Sequence, residues 1–500
     1  MELTETQQKI VNTKGNLIVS ASAGTGKTHT MVAKIEKEIH ENKDFRVVAA
    51  ITFTIKAAKE IKNRLSVDTT DHFIGTNNSF AIEEVIKPFM RDAFGADFDR
   101  EMTTDYNKKF DEFSKGLIHI SASGLLGSYQ NGNQNFIFEL ALKILKKSEV
   151  ARLYLQAKYF KIYIDEYQDC DYNMNEFFMY LTESLHIDLF IVGDDKQSLY
   201  IWRGAKPEAF RSILEKSNFK NIFMMENFRS NKQIQNYSNL LFDKTANLYQ
   251  PQFDKNSIIL LKCTHSDWVG RVKNFWDSSK STGLLRGKNV DAENGSNLLV
   301  ENDMDFKFIP KAPIENISND TAWLYYSIAE FIILDNYSVF DFMYDIPSGL
   351  EENSKTKRKL EVYLDDIKSK VSDENSFKMK VSDVATLLGY STQEEDLDCL
   401  FKTVSDKKYI DIFETDKYLH KAMTCHSSKG LQFDQVILFA EDFSLKKQDD
   451  FYLHYVAVTR AKSKIIIIDT GTYWAKQFNT NICKKLTSNK VPLEDLLITY

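Results

Sequence analysis

The 500-residue chain lacks the marks of several large protein classes. Its five cysteines, Cys170, Cys263, Cys399, Cys425 and Cys483, are odd in number, widely spaced and without a CxxC pair. That argues against a disulfide framework or a zinc site and points to a reducing compartment. No uninterrupted apolar run approaches the length that spans a bilayer, and the start, MELTETQQK, is polar where a secretory signal is apolar. A soluble cytoplasmic protein, neither exported nor membrane-bound, is expected. Excess positive charge is also missing: the net charge is −7, so any track for nucleic acid has to be a local basic and aromatic groove. There is no internal repeat. With 43% apolar residues the chain is globular, and its length calls for about two to four domains.

Against this background one segment stands out. Residues 21–28 read ASAGTGKT and follow the apolar run Leu17-Ile18-Val19. A glycine-containing turn that feeds a helix lines up backbone N–H donors around phosphates, with Ala23, Gly24, Thr25 and Gly26 forming the turn. Lys27 is placed to reach the outer phosphates and Thr28 to ligate Mg²⁺. Ala21 stands where the strict pattern wants glycine. A second signal comes at Ile162-Tyr163-Ile164-Asp165-Glu166, an apolar strand pattern ending in adjacent carboxylates. Phosphoryl transfer needs one acid to hold Mg²⁺, a role that fits Asp165, and a group that handles the attacking water, a role that fits Glu166.

Short Val/Ile/Leu/Phe runs suited to buried parallel strands occur at 17–20, 47–52, 162–165, 189–193, 222–225, 258–261, 436–440 and 465–469. Helical patterns separate many of them. Two long gaps carry helical periodicity and charge, as insertions into two α/β cores would. Residues 280–295 and 348–357 are rich in Gly, Ser, Asn and charge and read as loops.

Further blocks fall in the order found in the UvrD/Rep-type superfamily 1 DNA helicases, which the chain therefore resembles. LTETQQKIV is similar to the Q motif, ITFTIKAAKEIKNRL to motif Ia, GTNNSF to the GTFHS block and DEYQD to the Mg²⁺ acid motif. VGDDKQSLYIWRGA resembles motif III, MMENFRS motif IV, MTCHSSKGLQFD motif V and YVAVTRAK motif VI. The resemblance implies an α/β fold of two RecA-like P-loop motor domains, parallel sheets flanked by helices, each with a mainly helical insertion. The expected boundaries are 1–78 and 156–223 for the first motor domain and 79–155 for its insertion. For the second motor domain they are 224–312 and 417–500, with a reduced insertion at 313–416.

The same resemblance implies roles. Gln7 would read the adenine edge and Phe228 stack on the base. Arg229 and Arg460 would be arginine fingers supplied by the second motor domain, and Gln197 would sense the γ-phosphate. Tyr200, Trp202 and Arg203 follow Gln197 by a few residues and would form an aromatic platform for single-stranded DNA, where stacking is worth about 1–3 kcal/mol per base whatever the sequence. Phe53 would supply another platform or belong to the core. Thr52, Thr76, Thr424, His426 and Lys429 would touch backbone phosphates, with His426 equally readable as a structural histidine.

Three departures bear on this pattern: Ile55 replaces an Asn in motif Ia, Asn78 a His, and Gln432 a Glu that contacts the ribose in many relatives. The shortened second insertion narrows the resemblance to the helicase-like GajB subunits of bacterial Gabija antiphage systems. Such subunits work with GajA, an OLD-family nuclease with a TOPRIM domain, in a hetero-oligomer. A Mg²⁺-dependent, DNA-stimulated hydrolase of ATP is therefore expected, with GTP and deoxynucleotides open as substrates and DNA single strands or ends as partner. Two other readings stay open, a stand-alone repair translocase and a nucleotide-binding scaffold that docks a nuclease.

Overall fold

The computed structural model describes residues 2–99, 101–199, 206–252, 256–317, 321–346 and 354–500. In its first half the strands are β1 (Leu17–Ala21), β2 (Val47–Thr52), β3 (Phe73–Thr76), β4 (Thr103–Phe110), β5 (Leu125–Tyr129), β6 (Tyr159–Ile164), β7 (Asp188–Gly193) and β8 (Lys220–Met224). Six of them form one sheet in the order β3-β2-β6-β7-β1-β8, parallel throughout. The near-continuous apolar runs of β1, β2, β6 and β7 suit strands covered on both faces. Leu17 and Val19 pack with Met31, Ile35 and Phe190 on one face, and Ile18 joins Ile51, Ile162 and Ile164 on the other, as a period of two requires.

The second half repeats the design. Its strands are β9 (Ile258–Lys262), β10 (Thr282–Arg286), β11 (Phe306–Phe308), β12 (His420–Thr424), β13 (Phe433–Phe439), β14 (Ala461–Asp469) and β15 (Ile498–Thr499), parallel in the order β11-β12-β10-β13-β14-β9-β15. The molecule is thus α/β with two parallel sheets flanked by helices, the architecture of two RecA-like lobes.

One expectation is corrected. Residues 280–295, read as a loop, contain β10 and the start of the helix Asn289–Val300. Every residue of β10 is buried, paired to β12 and β13 on its two sides, so tertiary pairing overrides the local Gly/Ser/Asn signal. Of the other expected loop, 354–357 begin the helix Ser354–Ser369, and 348–353 lie outside the described residues.

Between β3 and β6 the chain is mainly helical, with β4 and β5 as a small parallel pair. Its side chains Phe80, Ile86, Phe136 and Phe138 share a core with one face of the first sheet. Between β11 and β12 the helices Ala322–Ile333, Val339–Asp345, Ser354–Ser369, Glu374–Leu387 and Glu394–Ser405 enclose a core of their own, including Trp323, Ile328, Phe342, Leu364, Phe377 and Leu400. Ile55 of the first lobe packs against that core. Beside it, Lys59 Nζ lies 2.6 Å from carboxylate oxygens of both Glu330 and Asp345. The departure from Asn at position 55 thus has a physical reason, since an amide there would be half-buried against apolar side chains. Among the described residues no helix is long and apolar enough to cross a membrane.

Candidate nucleotide site and DNA face

β1 ends at Ala21, extended and paired with Met224, so a Cβ is tolerated where the strict pattern wants glycine. The turn then needs real glycines. Gly24 and Gly26 adopt φ of 77° and 80°, the left-handed region, and a Cβ on Gly24 would lie 2.6 Å from Asn227 Oδ1 and 2.8 Å from Arg229 Cβ. Thr25 Oγ1 donates to Ser22 O at 2.9 Å and braces the turn from inside. The helix Lys27–Glu41 follows without a side-chain cap, leaving first-turn N–H groups and the positive end of its dipole for an anion. Among the described residues no hydrogen bond or ion pair engages the Lys27 ammonium, and Thr28 stands beside it on the first turn. Gln7 lies beneath the turn: Nε2 donates to Thr25 O at 3.3 Å and Oε1 accepts from Thr4 N at 3.0 Å, so the structure uses this side chain to brace the loop.

The acid pair follows β6, two strands away from β1 across β7. Asp165 N–H donates to Ile51 O at 3.0 Å, which carries the carboxylate to the end of the strand and buries it. Glu166 takes a left-handed backbone, φ 53°, rare for a residue with a Cβ, and its N–H donates to Asp165 Oδ1 at 2.8 Å. Burial and then the neighbouring Glu166 push the Asp165 carboxyl above its usual range. For Glu166 burial works the same way, but Lys429 and Lys27 outweigh it and hold that carboxyl below its usual range. The two acids are thereby driven apart, and Lys27 is close enough to act on both.

The second lobe closes over the loop. Phe228 N–H donates to Gly24 O at 2.9 Å, and the Phe228 ring is 50% exposed, free for stacking. Arg229 Nη1 donates to Thr459 O at 3.0 Å, whereas its buried Nε has no partner among the described residues. Arg460 is 2% exposed and donates from Nε to Val456 O at 2.9 Å and from Nη2 to Gln197 Oε1 at 3.3 Å. Burial and then the Arg229 charge push the Arg460 guanidinium down to about 9, and burial lowers that of Arg229. A buried cation beside a half-buried one with an idle donor forms a site that an anion relieves.

Comparisons with known proteins agree with this geometry. Residues 5–203 match the family described as an AAA domain, and residues 420–468 that described as a UvrD-like helicase C-terminal domain. Gabija protein GajB of Bacillus cereus (strain VD045) is 38% identical over 475 residues, 92% of this chain and 94% of that protein. The chain belongs to the GajB family of UvrD-like helicases. The ATP-dependent DNA helicases Rep of Escherichia coli (strain K12) and PcrA of Bacillus subtilis (strain 168) are more distant. They are 26% and 28% identical over 50% and 48% of the chain and 44% and 39% of their own lengths. This GajB-family chain is accordingly a helicase-like hydrolase of nucleoside triphosphates with a DNA-binding surface.

The expected DNA contacts are gathered less tightly. Thr52 and Thr76 are register partners at the carboxyl ends of β2 and β3. Their hydroxyls serve local turns, Thr52 donating to Thr54 O at 2.9 Å and Thr76 capping the helix Asn77–Ala81. Thr424 ends β12 and accepts from Ser427 N at 3.1 Å. His426 is half-buried in the turn that follows, and Phe53 is half-buried against the first core. Asn78 donates to Tyr106 Oη at 3.2 Å, and Gln432 is exposed. Tyr200, Trp202 and Arg203 lie outside the described residues. Lys429 has a different neighbourhood from the one expected: its ammonium reaches across the cleft to Glu166 at 2.9 Å and Asp169 at 2.6 Å. A cation on this turn finds the densest negative charge within reach, and here that is the acid motif.

The sequence reading missed Asp194 and Tyr455. Asp194 precedes Gln197 by three residues and accepts from its Nε2 at 2.8 Å. Tyr455 lies one helical turn before Thr459 and Arg460, and that spacing inside the YVAVTRAK block is the signal that marks it.

Proposed function

We propose that this chain is a Mg²⁺-dependent, DNA-stimulated NTPase acting in the cytoplasm as the helicase-like subunit of a Gabija-type antiphage complex with an OLD-family TOPRIM nuclease. The observation that carries the catalytic reading is the meeting of Lys27, Asp165 and Glu166 from one lobe with Arg229 and Arg460 from the other around one phosphate-sized turn. The reading of its partner and biology rests on the GajB likeness over nearly the whole chain.

In this reading ATP lies with its phosphates on the turn 23–26. The donor set beside it fits Mg²⁺: a hydroxyl at Thr28 and a buried carboxylate at Asp165, which burial and Glu166 hold above its usual range in the absence of a cation. Bound there, the ion would neutralise charge on the β- and γ-phosphates. Lys27 binds the outer phosphates, Gln197 orients the γ-phosphate, and Glu166 takes the proton of the attacking water. Arg229 and Arg460 offer guanidinium forks to the charge that develops in transfer, a contribution of about 10³–10⁵ in rate for residues of this kind. Phe228 stacks on the base, and Gln7 uses its remaining hydrogen-bonding capacity on the adenine edge. DNA runs over the carboxyl ends of β2, β3 and β12, past Thr52, Phe53, Thr76, Thr424 and His426.

The test is turnover by the purified chain with ATP, GTP and dATP, without DNA, with linear duplex, and with covalently closed circles. The expected result is hydrolysis raised by DNA ends, lost on Mg²⁺ chelation, and unaccompanied by strand separation. Unwinding that keeps pace with turnover would instead establish a stand-alone helicase. Phage protection retained by Lys27→Ala alongside the partner nuclease would establish a scaffold.

A further inference from the structure

Tyr455 stands in the second-lobe helix Gln448–Val458 and is 1% exposed. Its hydroxyl is 3.1 Å from Ala23 N and 3.3 Å from Asp194 Oδ2. It therefore accepts an N–H of the phosphate turn and donates to a carboxylate that follows β7. The same Oδ2 accepts from Gln197 Nε2 at 2.8 Å, and Gln197 Oε1 accepts from Arg460 Nη2 at 3.3 Å. Lys196 Nζ pairs with the other oxygen of Asp194 at 2.7 Å. Turn, tyrosine, aspartate, glutamine and arginine make one hydrogen-bonded chain that crosses between the lobes three times.

We infer that Tyr455 is a positioning residue for hydrolysis: its hydroxyl ties the phosphate turn to the Gln197–Arg460 pair, so that the three hold one geometry across the cleft. The inference rests on the assignment of Lys27, Gln197 and Arg460 to the nucleotide site. A ring at this position needs no hydroxyl for packing, and both partners of the hydroxyl are buried groups of the phosphate turn and the loop bearing Gln197. Among the described residues the Ala23 N–H has no other acceptor. A buried network with every member satisfied holds a geometry that a partly satisfied one does not. Removing the hydroxyl leaves a turn N–H unpaired and frees Asp194 and Gln197 to shift relative to Lys27.

The experiment compares Tyr455→Phe with the native full-length chain at saturating DNA, with turnover normalised to the amount of fluorescent ATP analogue bound, so that unfolded protein does not count. The expected result is a fall in kcat of about tenfold with KM for ATP changed less than about twofold. In Tyr455→Phe combined with Gln197→Ala, the two losses should multiply to less than their product, because both act on one chain of bonds. An unchanged kcat, or losses that multiply in full, overturns the assignment. Lys27→Ala separates the two levels of the reading: if it keeps turnover, the nucleotide site itself is misassigned. If it is inactive while Tyr455→Phe retains kcat, only the role of Tyr455 falls.

Discussion

The two lobes share a design and differ in how they treat charge at the carboxyl edge of the sheet. In each, the first strand of the lobe lies one place in from the sheet edge, β1 beside β8 and β9 beside β15. After β1 the glycine turn leaves its helix uncapped and Lys27 without a partner among the described residues. After β9 the turn closes on itself: Asp267 accepts from Thr264 N at 2.6 Å and from its hydroxyl at 2.7 Å, which hold the carboxyl below its usual range. The second lobe also has a cation at its edge, Arg286 at the end of β10, but Asp442 meets it at 2.6 Å and Glu441 at 3.2 Å, and it lies 3.8 Å above the Phe439 ring. One lobe keeps its cation free; the other neutralises it. Parallel α/β architecture supplies the edge, and ion pairing decides whether the edge can bind an anion.

The largest effect follows from the free cation. Lys27→Ala is expected to lower turnover by about 10³-fold or more while the melting temperature of the nucleotide-free protein falls by no more than a few degrees, since no hydrogen bond or ion pair is lost and only the longer-range attraction to Asp165 and Glu166 goes. Turnover and calorimetry on one preparation check both halves, and a destabilised but active variant would break the comparison. Next comes Arg229, whose buried Nε is idle. Arg229→Met should cost about 10³-fold in rate and leave the nucleotide-free protein no less stable, because it removes an unsatisfied buried donor. The opposite dissociation is expected in the second lobe. Arg286→Ala should destabilise by about 3 kcal/mol, stranding two carboxylates, with turnover per folded molecule unchanged. Denaturant titration beside a turnover assay decides it, and a loss of rate without a loss of stability would show that this edge also binds substrate.

How much of this was legible in the sequence depends on distance along the chain. The phosphate turn and the acid pair were readable because their chemistry is local: Gly24 to Thr28, and Asp165 beside Glu166, sit where the strands end. β10 was not readable, because its Gly and flanking Ser and Asn outweigh two leucines until β12 and β13 bury it on both sides. Nor were the partners of Lys429 or Tyr455. Which carboxylate an ammonium meets, or which N–H a hydroxyl accepts, across 260 or 432 positions is set by how the lobes close, and no periodicity encodes it. The Ile55 departure is an intermediate case: the substitution is visible in the sequence, and the apolar insertion that it packs against is visible only in the fold.

The contact beside Ile55 gives the smallest expected effect and extends the comparison from the edges to what holds the lobes together. Lys59 stands between Glu330 and Asp345, and burial first, with Asp345 adding to it, keeps the Glu330 carboxyl above its usual range even with the lysine present. Lys59→Ala should therefore cost about 1 kcal/mol near neutral pH, because the two acids then face each other without a cation. A carboxyl raised in the folded state binds more protons there than in the unfolded chain, so its contribution is fully present below the unfolded value and lost as pH rises through the folded one. The deficit of the variant should accordingly shrink on moving from about pH 8 to about pH 5. Melting temperatures of the native and Lys59→Ala chains at the two pH values measure it. A deficit equal at the two pH values would mean that Lys59 acts through its alkyl packing against the second insertion and that charge contributes nothing at this contact, in contrast to both sheet edges.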